Sequence, residues 1–224
     1  KGNKMKKVLI YVLATMFIAA SAYAEKRIGV SLAYTMFDSS GTEETKSSGE
    51  KQSTSVEEDV LVPAIFFEIA NDNGIALGID YTPADSELGS GVNSRTDTDT
   101  DDASDSAGDN DASAELSGHY TLYGLLPVGS RGAYLKAGVA HASIDTTETL
   151  ATGTTYGNAD VNGVLVGLGF NRVSDNGGFF RMEGTYTDYE DVQFKGSLDG
   201  DSVRNVIDAD VDALAIRIAV GKAF

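Results

Sequence analysis

The sequence contains no cysteine and no tryptophan, and only three prolines and two histidines in 224 residues. Without cysteine, neither a disulfide framework nor a thiolate metal site can form. Basic residues are scarce: 17 Lys and Arg stand against 34 Asp and Glu, for a formal charge of −17. A phosphate backbone would be repelled by that excess, so nucleic acid is not an expected partner. Long apolar runs are missing too. The one candidate, "VLIYVLATMFIAA" at 8–20, is shorter than the roughly 20 residues a membrane-crossing helix requires.

That run reads instead as an export signal. Lys6 and Lys7 precede it, and "SAYA" follows, with Ala22 and Ala24 in the small-residue cleavage pattern. Residues 1–24 are therefore expected to be a signal peptide with upstream residues, and 25–224 a single domain beginning at Glu25. The leader holds four Lys and no acid, so the rest of the chain carries 13 basic and 34 acidic residues, for −21. An exported chain with no spanning helix is either soluble beyond the inner membrane or a β-barrel.

After residue 24 the dominant signal is alternation at period two. "RIGVSLAYTMF" puts Ile28, Val30, Leu32, Tyr34 and Met36 on one face. "NGVLVGLGF" sets Val164, Val166, Leu168 and Phe170 against Gly163, Leu165, Gly167 and Gly169. "GFFRMEGTYTDY" sets Phe180, Met182 and Tyr186 against Arg181, Glu183, Thr185 and Thr187. "SAELSGHYTLYGLL" groups Leu116, Tyr120 and Leu122 against Glu115, Ser117 and His119. "DVLVPAIFFEIA" is apolar on both faces and leaves its register open. The closing "ALAIRIAVGKAF" makes the eighth strand, with Leu214, Ile216, Ile218 and Val220 opposite Ala215, Arg217 and Ala219.

The connections alternate strictly. Long ones at 38–57, 84–112, 145–159 and 190–210 interleave with short Asn/Asp/Gly turns at 71–74, 127–132 and 171–178. An up-and-down meander then collects every long loop at one end. Short turns at one end, long loops at the other and an even strand number are the rule for outer-membrane barrels. The expected fold is all-β, an eight-stranded antiparallel up-and-down transmembrane β-barrel.

Two orientations compete. With apolar faces inward the chain would be a soluble, periplasmic, lipocalin-like carrier. With apolar faces outward, lipid meets Ile, Val and Leu, and a narrow interior receives the small and charged residues. A lipid-facing Arg or Lys costs roughly 2–4 kcal/mol at the midplane, which favours the second. An eight-strand interior is just wide enough to be filled by side chains. The expected lumen network is Glu115, His119, Lys136, Arg181, Glu183 and Arg217, with Lys136 or Arg217 as candidate partners of Glu183, since buried charges require pairing. It reads as a structural plug, with a gate or narrow conducting path as the alternative. Tyr34, Tyr81, Tyr120, Tyr134 and Tyr186 are candidates for the interfacial girdles.

"TDTDTDDASDSAGDND" at 96–111 concentrates acids in the longest loop. Asp97, Asp99, Asp101 and Asp102 offer hard oxygen ligands for Ca²⁺ or Mg²⁺, but the spacing lacks the twelve-residue helix–loop–helix calcium pattern. A solvated acidic loop, which composition alone explains, is the reading expected here, and no metal site is expected. No cofactor is expected. His119 lies near Ser117 and Glu115, and His141 near Ser143 and Asp145, but both read as polar rim or lumen residues, and no enzyme is expected.

The signal peptide, "AYLKAGVAHASI" (133–144), "NGVLVGLGF" (162–170), "FFRMEGTYTDYEDV" (179–192) and the strand ending at Phe224 resemble the small outer-membrane β-barrel family. Its members include the OmpA transmembrane domain, OmpX and the opacity-protein-like barrels. The resemblance spans 25–224. It implies a monomer in the outer membrane of a Gram-negative bacterium, in contact with membrane lipid and lipopolysaccharide. It also implies that the barrel-insertion machinery reads the last strand through Phe224. Lys222 departs from the pattern, since an apolar or aromatic residue is commoner there. The function implied is structural or surface-interactive, through acidic extracellular loops; a small pore is the alternative.

Overall fold

The computed structural model describes residues 25–45, 49, 51–95, 108–150, 154–197 and 203–224. Asp97, Asp99, Asp101, Asp102 and the whole of 1–24 lie outside them. The described chain is strand joined by turns: β1 (Glu25–Thr45), β2 (Lys51–Ala70), β3 (Ala76–Tyr81), β4 (Ser86–Arg95), β5 (Gly108–Val128), β6 (Ala133–Thr149), β7 (Ala159–Val173), β8 (Gly178–Tyr189), β9 (Val192–Ser197) and β10 (Val203–Ala223). β3 and β4 are one crossing interrupted at 82–85, and β8 and β9 are one crossing interrupted at 190–191. Neighbours pair antiparallel in chain order, and β1 closes on β10 from Arg27↔Ala223 to Thr45↔Asn205. The result is an eight-stranded, antiparallel, up-and-down barrel.

Two of the three short turns close by Asx chemistry. Asn71 Oδ1 accepts from the N–H groups of Asn73 and Ile75 (both 3.0 Å), and Asn176 Oδ1 accepts from Gly178 N–H (2.9 Å). Gly74 and Gly177 follow at φ 78° and 79°, where L side chains are strained. The first and last described strands meet at this same end, where Lys26 and Phe224 exchange both backbone bonds.

At the turn end the barrel is apolar outside. Ile28, Val30, Leu32, Tyr34 and Met36 on β1, Val166 and Leu168 on β7, Phe180 and Met182 on β8, and Leu214, Ile216, Ile218 and Val220 on β10 all face out, with Ile216 60 % exposed. From Ile28 to Met36 this belt runs about 26 Å along the strand at ~3.3 Å per residue, or about 20 Å of height at the usual tilt. The lipocalin-like orientation is thereby overturned: Ile216, Ile218, Val166 and Leu135 point away from the axis, and Arg181 and Arg217 point into it.

Three expectations need correction. The long connections are largely strand, not loop: β1 and β2 pair without interruption out to Glu44↔Lys51, and β4 pairs β5 out to Arg95↔Gly108. Polar Ser, Thr and Glu residues there show no alternation to read, yet they extend a ladder already in register. Second, Leu116 and Tyr120 do not share a face. The β5–β6 register shifts between Ser117 and Tyr120, where Gly118 takes φ 57°. This bulge turns Leu116 inward (2 % exposed) and Glu115 outward while Tyr120 stays outside. Third, Tyr134 is buried within the barrel instead of joining a girdle, because Leu135 beside it takes the outer face.

Candidate functional site

The turn-end interior holds six buried charged side chains from five strands: Glu68 of β2, Asp80 of β3, Lys136 of β6, Arg181 and Glu183 of β8, and Arg217 of β10. Three are positive and three negative. Strand alternation places them: Ile79 and Tyr81 look outward so Asp80 looks in, and Phe180 and Met182 do the same for Arg181 and Glu183.

Glu68 is fully buried and anchors one centre. Arg181 grips it with both terminal nitrogens, at 2.5 and 2.9 Å, and Tyr123 donates its hydroxyl at 2.7 Å. Arg27 Nη1 stands 3.8 Å from Glu68 Oε2. The two-pronged Arg–carboxylate geometry is a charge-assisted contact, roughly twice as strong as a neutral hydrogen bond and specific in geometry. In the second centre, Glu183 accepts from Lys136 at 2.9 Å and from the Tyr134 hydroxyl at 2.7 Å. In the third, Arg217 Nη1 donates to Asp80 Oδ2 at 2.8 Å. Lys136 links the second to the third, 3.7 Å from Asp80 Oδ2, and Arg181 links the first to the second, 3.8 Å from Glu183 Oε1. All six charges form one connected network.

Aromatic rings complete the filling. The Lys136 ammonium lies 4.0 Å from the Tyr123 ring centroid, and the Arg181 guanidinium lies between Phe66 and Phe179, at 5.3 and 5.1 Å. These rings need a flat wall. A Cβ on Gly29 would meet Phe66 at 2.4 Å, one on Gly78 would meet Tyr123 at 2.5 Å, and one on Gly221 would meet Phe179 at 2.4 Å. The glycines of the inner face are thus the seats of the lumen aromatics. The gap bounded by Ser31, Tyr123, Lys136, Arg181, Glu183 and Arg217 admits no water-sized sphere. At this level the lumen is closed.

Of the residues expected in the lumen network, Lys136, Arg181, Glu183 and Arg217 come together. Lys136 is the partner of Glu183. Arg217 stands opposite Glu183 in the β8–β10 register, but its guanidinium crosses to Asp80 instead. His119 sits one level toward the long hairpins, half-buried, between Thr82 Oγ1 (3.3 Å) and the Tyr189 hydroxyl (3.2 Å). Glu115 is outside the barrel. Two acids of the network, Glu68 and Asp80, were not expected. Each is the lone charge in an otherwise apolar strand stretch, and a lone charge inside a lipid-facing strand has to look inward. Of the candidate acid–base sets, His141 Nδ1 lies 3.0 Å from Asn162 Oδ1, while Asp145 accepts from Ser117 and Ser143.

Toward the long hairpins the interior changes character. Phe37, Leu88, Leu116, Ile144, Val161, Phe194 and Val211 pack as one apolar cluster with Tyr189. Tyr156 covers part of it, donating its hydroxyl to Glu43 at 2.8 Å. Burial, and then the Glu43 carboxylate, hold that phenol above its ordinary pKa. Phe224 stays exposed at the opposite end.

No family model and no curated protein sequence matches the chain. Solved structures do. The outer-membrane protein OprG from Pseudomonas aeruginosa matches over 90 % of this chain and 96 % of its own, with TM-score 0.54 and 14 % identity. AlkL, an outer-membrane protein determined in DMPC bilayers, matches over 88 % and 90 % (TM-score 0.42, 14 % identity). Ail, the attachment invasion locus protein of Yersinia pestis, in complex with a heparin analogue, matches over 90 % and 99 % (TM-score 0.41, 12 % identity). At this identity the likeness to OprG is one of fold: a small barrel of the outer-membrane type.

Proposed function

We propose that the chain is an outer-membrane β-barrel of a Gram-negative bacterium with a structural and surface-interactive role, presenting acidic strand extensions to the medium. One observation carries this reading: aliphatic side chains form an outer belt, while between its two edges the charges on the same strands, Glu68, Asp80, Lys136, Arg181, Glu183 and Arg217, are turned inside and paired. Water would not tolerate that belt as a free surface, and hydrocarbon would not tolerate those charges outside. The OprG-like fold supports the same reading.

In this reading residues 1–24 are removed on export. The barrel-insertion machinery engages the last strand, which ends in the exposed aromatic Phe224. The barrel is a monomer in contact with lipid and lipopolysaccharide. The closed lumen favours a plug over a pore. Two measurements test this. Unheated protein from detergent-extracted outer membrane should migrate faster on a semi-native gel than boiled protein; recovery in the soluble periplasm would overturn the placement. Refolded protein in a planar bilayer should give no steady conductance, and a stable unitary current would replace the plug with a pore.

A further inference from the structure

Charges along the two edges of the apolar belt are sorted by sign. At the turn-side edge, the outward series on β1 passes from Ile28 to Lys26, on β10 from Val220 to Lys222, and on β7 from Phe170 to Arg172; Arg131 occupies the β5–β6 turn. All four cations are exposed. Lys26, Arg131 and Arg172 meet no carboxylate at ion-pair distance among the described residues, and Lys222 reaches only the carbonyl of Asn176. Of the acids at this end, Glu25 is engaged by Arg27 at 2.5 Å, and Asp72 and Asp175 sit at the turn tips.

The loop-side edge is the reverse. Met36 is followed by Asp38, Tyr186 by Asp188, and Leu214 is preceded by Asp212. Cross-strand register lines up Glu57, Asp38, Asp212 and Asp188 on four neighbouring strands. Among the described side chains of that half, the exposed cations Lys51 and Lys195 stand farther up the strands, and Lys51 is held by Glu44 at 3.3 Å.

We propose that the turn-side edge of the belt is a binding surface for anionic phospholipid headgroups of the leaflet it faces. The inference rests on the membrane-spanning reading above. Lys26, Arg172 and Lys222 each stand next to an outward apolar residue in the outward series of their strands, so the stem lies along the belt and the head reaches phosphate depth; Arg131 adds a fourth charge from the turn between β5 and β6. Arginine adds two-pronged phosphate recognition. The four positions are spread around the ring, which fits a surface of many headgroups and not one enclosed anion. Juxtamembrane cations attract anionic lipid within a Debye length. The loop-side row would repel the same headgroups.

The test resolves the two edges separately. Barrel is reconstituted in phosphatidylcholine nanodiscs with a few per cent of headgroup-spin-labelled phosphatidylglycerol or phosphatidylcholine, and amide line broadening is read by NMR. The phosphatidylglycerol label should broaden Ile28, Phe170 and Val220 at least about threefold more than Tyr34, Val164 and Tyr186, less so in high salt. The phosphatidylcholine label should broaden both sets alike. Replacing Lys26, Arg131, Arg172 and Lys222 by Gln should abolish the difference. Equal broadening of both edges by the anionic label in the wild-type barrel would overturn the proposal, as would a difference that survives the Gln variant. The wild-type result decides alone if that variant does not fold. Failure of the wild-type barrel to enter the disc would overturn the membrane reading itself.

Discussion

On the turn-side half of the barrel, aliphatic side chains look outward and charges look inward; on the loop-side half, the same strands do the opposite. β10 shows the change within one element. Ile207, Ala209 and Val211 face in and Asp208, Asp210 and Asp212 face out; past Ala213, Arg217 faces in and Leu214, Ile216 and Ile218 face out. From Ile207 to Val220 the alternation does not slip. Only its polarity inverts, at the level of the acidic row. The backbone ladder is indifferent to what lies outside it, so one sheet runs through two solvents, and each half obeys its own partition rule: apolar inward where water is outside, apolar outward where hydrocarbon is.

The sharpest break of the comparison is at Glu68. Glu68→Leu leaves the Arg181 guanidinium buried without its two-pronged partner, the nearest remaining carboxylate oxygen being Glu183 Oε1 at 3.8 Å. It should destabilise the barrel by about 3–5 kcal/mol, read by urea titration of unheated gel migration in lipid. Glu68→Leu combined with Arg181→Leu should restore most of that loss, because a paired charge and an apolar pair are close in energy where a lone charge is not. A loss well under about 1 kcal/mol for the single variant would mean that water reaches the network, and the contrast between the halves would dissolve.

The same inversion decides what could be read from the sequence. Arg181, Glu183 and Arg217 were legible because Phe180, Met182, Ile216 and Ile218 alternate cleanly around them. Alternation could not place Glu68, because Val62, Ala64 and Phe66 face the lumen while Leu61, Ile65 and Phe67 face out, so β2 offers no contrast between faces and only its being the lone charge there marks it. Phe66 is inward for a reason local sequence does not carry: it shields Arg181, 113 residues on from Glu68, against Phe179. Leu116 failed for a different cause. A bulge at Gly118 shifts the register by one position, and the polarity inverts across it as well. The strand extensions were hidden because exposed Ser, Thr and Glu residues on β2 look the same as loop; only pairing with β1 makes them strand.

The second break lies in the apolar half. Leu116→Ala should cost about 2 kcal/mol locally, at the low end for a buried leucine, because the hairpin ends beyond the closed ring can relax around the cavity. Expressed as amide exchange, that is roughly a 30-fold acceleration in β4 and in β5 near Ser113 and Glu115. The amides of Lys136 and Arg181 should keep their protection. Acceleration throughout the barrel would show the two halves to be one cooperative unit, and the comparison one of chemistry only.

The smallest effect probes the acidic outer face of the loop-side half. Asp210 is held above the usual carboxylate range, first by partial burial, then by a hydrogen bond with Asp191 and by the charges of Asp212, Asp191 and Asp188. A carboxyl whose folded-state value is raised binds its proton more tightly when folded. Its contribution to stability is therefore fully present below the ordinary aspartate range and is lost as pH rises through the raised value. Asp210→Asn removes the titration and keeps the shape. In the wild-type barrel, protection factors of the β9–β10 amides, corrected for intrinsic exchange, should fall as pH rises through that raised value. In the variant they should stay level, and at neutral pH they should exceed the wild-type values slightly, because most of Asp210 is solvated and screened. Mutual repulsion along this face is tolerated because the apolar cluster beneath it holds the strands in place. A wild-type profile that is flat with pH would mean that the acids of the outer face are too well screened to oppose one another.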